Sequence, residues 1–269
     1  MLFRSDEVEL GWFGWSELRD ISRDGKKVLF EEEGEGGGSN YTVFLRDTDG
    51  SPPVRIGEGR GEAISPDIKW VITQSAQGDG PLMLVPTGAG QARQLTHDNI
   101  RYTVLRYFPD GKHLLAVGIE PGHGGRDYVI DVKTGDSKPL TPEGITGADL
   151  SPDGKVTLVA GPDGSHGLWP VDGSGMRPIP GLQPGFSPKG WTPDGGSLYL
   201  TQRGDDQRHR KIFRMNLTTG KIELWKTFGE GITSGSTFAG NGMFAEDNEA
   251  YAYLWVQTLS QAYLVRGLR

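Results

Sequence analysis

A short signature recurs along the chain at nearly constant spacing, and it limits the available folds more than any other feature. Its copies are Ser22-Arg23-Asp24-Gly25-Lys26, Ser65-Pro66-Asp67-Ile68-Lys69, Phe108-Pro109-Asp110-Gly111-Lys112, Ser151-Pro152-Asp153-Gly154-Lys155 and Thr192-Pro193-Asp194-Gly195-Gly196. A degenerate copy, Ala245-Glu246-Asp247-Asn248-Glu249, stands sixth. The aspartates lie 43, 43, 43, 41 and 53 residues apart. Chance does not give three equal intervals. Periods of this size mark tandem units that bury their faces against one another.

The flanking residues repeat as well. After each signature comes a strand-like run, such as Val28-Leu29-Phe30, Trp70-Val71-Ile72 or Leu114-Leu115-Ala116-Val117. A polar loop follows, then a second run ending in a turn, as in Val43-Phe44-Leu45 to Asp49-Gly50. A short outer strand closes most units, as in Val54-Arg55-Ile56. Asp-Gly suits a two-residue hairpin because both positions tolerate positive φ. Each period therefore reads as a four-stranded antiparallel meander, the unit of a β-propeller blade.

The expectation is an all-β, six-bladed β-propeller in one domain, 1–269. Its blades fall at approximately 14–57, 58–97, 98–141, 142–180, 181–227 and 228–269. The last unit shows two clear strands, 250–257 and 262–268, and lacks an outer one. The N-terminal segment 6–13 has no place in the first blade. It is expected to close the ring as the outermost strand of the sixth.

Composition agrees. The chain has 42 glycines and 17 prolines among 269 residues, which argues against long helices. Seven Trp, eight Tyr and ten Phe argue against disorder. A net charge of −7 argues against a general nucleic-acid binder. Without cysteine there is no disulfide, thiolate metal site or thiol catalysis. No apolar run is long enough to span a membrane. The opening residues turn acidic too soon for a signal peptide. The chain is thus expected to be cytosolic or a segment of a longer one, and a monomer as an isolated domain.

In such a blade the signature joins the first two strands on one face. The loops on the opposite face vary. They include residues 34–40, 77–80, 120–126, 162–166 and 203–210, with interblade passages at 58–60, 97–102 and 183–185. Constant turns on one face and diverse polar loops on the other suggest a scaffold presenting a binding surface. The expected ligand is a protein, a peptide or a small molecule. Candidate contacts are Arg60, Arg101, Tyr102, Arg126, Asp205 and Arg208.

The repeated aspartates read as turn residues that bind nearby backbone amides. Asp47-Thr48-Asp49-Gly50 lacks the further oxygen ligands of a calcium loop. Residues 34–38 precede a strand, whereas a phosphate loop opens a helix. The tryptophans read as interblade packing. Trp15 and Trp191 are exceptions, because their strands border the central channel. No Gly-x-Ser-x-Gly or His-Glu-x-x-His occurs. Of the histidines, His97, His123, His166 and His209 fall toward the variable face and His113 beside a turn. The reading assigns no catalytic residue, no metal ligand and no cofactor.

The repeated Ser-Pro-Asp-Gly-Lys turn resembles the TolB-like six-bladed propellers, over the whole chain. Longer stretches resemble the C-terminal propellers of bacterial, acidobacterial-type eukaryotic-like serine/threonine kinases. These are residues 34–52, Gln94-Leu95-Thr96-His97-Asp98, Pro139-Leu140-Thr141-Pro142-Glu143-Gly144, and the ending from Tyr251-Ala252-Tyr253 through Leu259-Ser260-Gln261-Ala262-Tyr263-Leu264-Val265-Arg266-Gly267-Leu268. The resemblance implies a sensory or interaction domain without its own catalysis, on the extracytoplasmic side of a membrane-anchored kinase. Ile68 in place of the turn glycine and the degraded Asp247-Asn248 depart from the pattern. Two other propeller types are alternatives: the gating propeller of a prolyl-oligopeptidase-like peptidase, and a channel-metal enzyme such as a lactonase.

Overall fold

The computed structural model describes residues 8–34, 36–204, 210–228, 236–245 and 250–257. These residues form strands and turns, and among them no helix is long and apolar enough to cross a membrane. Blade one contains β1 (Ser16–Ile21), β2 (Lys27–Glu32), β3 (Thr42–Asp47) and β4 (Val54–Glu58). Blade two contains β5 (Arg60–Ile64), β6 (Trp70–Gln74), β7 (Met83–Pro86) and β8 (Arg93–Gln94). Blade three contains β9 (Arg101–Tyr107), β10 (His113–Ile119), β11 (Gly125–Asp131) and β12 (Ser137–Pro139). Blade four contains β13 (Thr146–Leu150), β14 (Val156–Ala160), β15 (His166–Pro170) and β16 (Arg177–Pro178). Blade five contains β17 (Phe186–Trp191), β18 (Ser197–Gln202), β19 (Lys211–Asn216) and β20 (Ile222–Thr227). Each is an antiparallel meander whose strands follow chain order.

Among the described residues there are five such blades, which corrects the expected six. The sixth repeat forms a two-stranded sheet, β21 (Ser236–Phe244) with β22 (Tyr251–Gln257). Residues 258–269, from which a further strand was expected, lie outside the described residues. The sixth signature also lacks the hydroxyl that shapes four of the other turns, although blade three is complete with Phe108 at that place. In blade one the Ser22 hydroxyl donates to Asp24 at 2.7 Å and accepts from the Lys27 amide at 2.9 Å, while Asp24 accepts from the Lys26 amide at 3.0 Å. Ser65, Ser151 and Thr192 do the same in their blades. Ala245 has no hydroxyl and keeps only the backbone bond, from its amide to the Ala250 carbonyl at 2.9 Å.

The N-terminal segment does not add a strand within its described part. Residues 8–13 are in no strand, and residues 6 and 7 lie outside the described residues. The Arg46 guanidinium instead takes the carbonyls of Leu10 at 2.8 Å and Gly11 at 3.2 Å. Leu10 packs on a cluster shared by blade one (Ile21, Val28, Phe30, Phe44) and the sixth sheet (Ala245, Ala250). Those carbonyls serve a guanidinium rather than a strand partner.

Adjacent sheets are joined by apolar side chains. Leu29, Val43 and Leu45 meet Ile64 and Val71 between blades one and two. Leu158 and Ile179 meet Leu198, Leu200 and Met215 between blades four and five. Tyr199 of blade five stacks on Phe244 of the sixth sheet, ring centroids 3.9 Å apart. The sixth sheet thus packs against both blade five and blade one, which completes the ring. The second strand of each blade is buried on both faces, as in Val28, Leu29 and Phe30. Each such side chain contributes about 1.5–3 kcal/mol through burial.

Candidate functional site

The innermost strands β1, β5, β9, β13 and β17 surround the axis, and each loses register against its neighbour. The shifts fall between Leu18 and Asp20, Gly61 and Ala63, Thr103 and Leu105, Thr146 and Asp149, and Pro188 and Gly190. A bulge breaks the two-residue alternation of side chains and re-aims the extra residue. Charged residues stand within or beside four of these bulges, Arg19, Asp20, Glu62, Asp149 and Lys189, and Arg106 follows the fifth.

Bulges also free backbone amides, and the preceding blade supplies acceptors for them. Glu31, wholly buried on β2, accepts from the Gly61 amide at 3.0 Å. Asp20 accepts from the Ile64 amide at 2.8 Å. Asp127 on β11 accepts from Gly147 at 2.9 Å and Ala148 at 3.2 Å. Burial pushes the Asp127 carboxyl up to about 6, against the pull of those two amides.

At the loop-face mouth the acids gather on blade one. Glu17, Glu31 and Glu33 form the one group among the described residues close enough to share a metal ion, with ligand atoms within 4.8 Å of one another. A guanidinium holds the place such an ion would take. Arg19 hydrogen-bonds Glu31, and its Nη2 lies 3.4 Å from Glu17 and 3.7 Å from Glu33. Arg60 stands beside them, with Nε 3.9 Å from Glu31 and its guanidinium 5.9 Å from the Tyr41 ring centroid. Burial pushes the nearby Glu62 carboxyl up to about 7, despite Arg19, Arg60 and Arg106. On blades four and five the charges are positive. Burial, then the charge of Arg210, lowers the Lys189 ammonium; burial, then the charge of Lys189, lowers His166.

Toward the turn face, the channel holds a cavity of about 90 Å³ with Asp20, Arg106, Asp149 and Lys189 in its wall. Trp191 also lines it and donates its indole N–H to the Asp149 carbonyl at 3.2 Å. A larger cleft, about 340 Å³, opens on the turn side of blade five. Its cations Lys221 and Arg214 both face Glu223, at 3.0 and 4.0 Å.

The structure separates the residues singled out by sequence. Arg60 is at the channel mouth and half-buried. Arg101 is exposed. Tyr102 is buried in the blade two–three core, edge-on to Tyr128, with its hydroxyl donating to Asp98 at 2.8 Å. Arg126 donates to Glu120 at 2.8 Å and to the Tyr128 hydroxyl at 3.0 Å, so its guanidinium is already engaged. Asp205 and Arg208 lie outside the described residues, as does His209. Trp15 is 64% exposed at the start of β1, beside Gly34. Sequence reasoning passed over Arg19, Glu62, Arg106, Asp149 and Lys189. Their signal is positional: a charge two or three residues before each turn signature.

No family model and no curated protein matches the chain. Solved structures match its fold. A protein assigned as TolB from Agrobacterium tumefaciens aligns with TM-score 0.64 and 21% identity, over 90% of this chain and 91% of that one. The fold is that of a TolB-like propeller. An oligogalacturonate lyase solved with manganese aligns with TM-score 0.57 and 17% identity, over 87% of this chain and 75% of its own. A prolyl endopeptidase aligns with TM-score 0.55 and 14% identity, over 90% of this chain and 39% of its own. At these identities the likeness concerns the fold alone, which is shared by proteins with and without catalysis of their own.

Proposed function

We propose that this propeller is a non-enzymatic recognition module that binds a protein, peptide or small-molecule ligand at the loop-face mouth of its channel. The observation that carries this reading is the exposed Trp15 beside the charged cluster of Glu17, Arg19, Glu33 and Arg60. A large aromatic surface next to fixed charges is the composition of a recognition hot spot. The turn face contrasts with it, because its signature side chains are engaged within their own turns. The finer reading, that the propeller is the extracytoplasmic sensor half of a receptor-like serine/threonine kinase, is supported by the resemblance of residues 34–52 and 251–268 to such domains.

Selection of a displayed random-peptide library on the purified chain tests the binding reading. Selected peptides should lose about tenfold or more in affinity on Trp15→Ala or Arg60→Ala, and should be unaffected by Asp153→Ala on the turn face. Affinities insensitive to the mouth variants and sensitive to Asp153→Ala would overturn it. For the kinase placement, the intact gene decides. A kinase catalytic domain upstream is the expected order, and a hydrolase downstream would contradict it.

A further inference from the structure

The axial cavity lies toward the turn face of the same channel and is lined by its own set of residues. Its groups differ in how far the protein already satisfies them. Both Asp20 oxygens are engaged, by the Ile21 amide at 2.9 Å and the Ile64 amide at 2.8 Å. The Asp149 carboxylate makes no hydrogen bond to the described residues, although it is deep in the molecule and lines the cavity. The Lys189 ammonium likewise has neither a hydrogen bond nor a close ion pair among them. Arg106 donates one N–H to its neighbour's carbonyl, Leu105, at 2.9 Å and leaves the rest of its fork open. One carboxylate and two cations therefore face the same small space, attracting one another across it but with no hydrogen bond or close ion pair between them.

We propose that this cavity binds a small zwitterion, an α-amino acid with a compact side chain, its carboxylate on Lys189 and Arg106 and its ammonium on Asp149. Charge selects this class over simpler ones. With Asp20, the wall carries two negative and two positive groups. A plain anion held by Lys189 and Arg106 would face Asp149, and a plain cation held by Asp149 would face Lys189. Only a ligand bearing both charges satisfies both sets, and unpaired buried charge is costly. Size gives the second limit. The cavity is small, about 90 Å³, which favours a compact side chain. Ile21 and Trp191 supply an apolar wall for a methyl group. Burial disfavours both open charges, lowering Lys189 and raising Asp149, and a ligand that neutralises each reverses that effect.

Calorimetric titration of the 269-residue chain with L-alanine, propionate and ethylamine tests the proposal, since the last two each remove one charge from alanine. Alanine should bind one per chain, about tenfold more tightly than either analogue. Asp149→Asn should remove alanine's advantage over propionate, weakening alanine while propionate, no longer facing a carboxylate, binds at least as tightly as before; that retained propionate binding also shows the variant to be folded. Lys189→Met should weaken alanine and abolish propionate binding. Arg60→Ala, at the loop mouth, should leave alanine binding intact whether or not it affects selected peptides, which separates this site from the mouth. Propionate binding as tightly as alanine, alanine binding unaffected by both cavity variants, or no binding of alanine would each overturn the proposal.

Discussion

Two neighbouring interfaces in the ring solve the same packing problem differently. Between blades two and three, a continuous apolar cluster runs from Ile72, Leu82 and Leu84 to Leu105, Leu114 and Ile130. Between blades three and four, a smaller cluster of Phe108, Leu115, Ala148 and Leu150 sits beside the buried Asp127, which accepts from two amides of the β13 bulge. The bulge residues explain the difference. In β13 the bulge begins with Gly147, where a Cβ would lie 1.8 Å from the Leu158 carbonyl oxygen. Its amide is turned to the preceding blade and needs an acceptor there. β5 is built the same way, with Gly61 bound to Glu31. In β9 the residue left out of register is Val104, at φ 49°, and no carboxylate from blade two meets it. Buried acids thus appear where an inner strand presents unpaired amides, and apolar contact carries the interface elsewhere.

Substitutions that separate the two interfaces should rank as follows. Leu114→Ala opens a void in the apolar interface and should cost about 2–5 kcal/mol in chemical denaturation. Asp127→Ala strands two amides and should cost about 2–3 kcal/mol, with Asp127→Asn costing less because one acceptor oxygen remains. Equal losses for Asp127→Ala and Asp127→Asn would show that the amides do not depend on this side chain.

Glu62 gives a prediction of opposite sign. Its carboxyl is held at about 7 when folded, above the 4.5 of the free group. Between those values the folded chain keeps a proton that the unfolded chain has released. Its contribution to stability therefore falls as pH rises through that window and levels off above it. Glu62→Gln should be more stable than the parent at pH 8, on the order of 2 kcal/mol, and no more stable below pH 4.5. A gain that persists at low pH would exclude the carboxyl as its source. The smallest effect is expected at Ile68, which takes φ 59° where other signatures use glycine. Ile68→Gly relieves about 1–2 kcal/mol of left-handed strain but loses packing on the Leu29–Val71 cluster. The net change should stay within about 1 kcal/mol in either direction.

The parts of this molecule that were legible in sequence are local. The signature turns form through bonds spanning two to five residues, so their residue types are visible in order along the chain. The inner-strand bulges depend on contacts between sheets that span 20 to 44 residues, and they invert the alternation by which a strand's faces are read. Tyr102 illustrates the cost: as the last residue of the polar passage 97–102 it reads as a loop contact, yet it turns inward against Tyr128. Arg126 was recognised as a loop-face residue, but its pairing with Glu120 and Tyr128 is a tertiary fact. The sixth repeat is already out of step, its aspartate 53 residues after the fifth, and the count of complete blades did not follow from spacing alone.

Hydrogen–deuterium exchange of the whole chain, with and without a peptide selected from the displayed library, tests the recognition reading most directly. The loop-face reading predicts added protection at 15–20, 33–42 and 59–62, with the turns at 22–27, 65–70 and 151–156 unchanged. Protection confined to those turns, with the mouth unaltered, would contradict it.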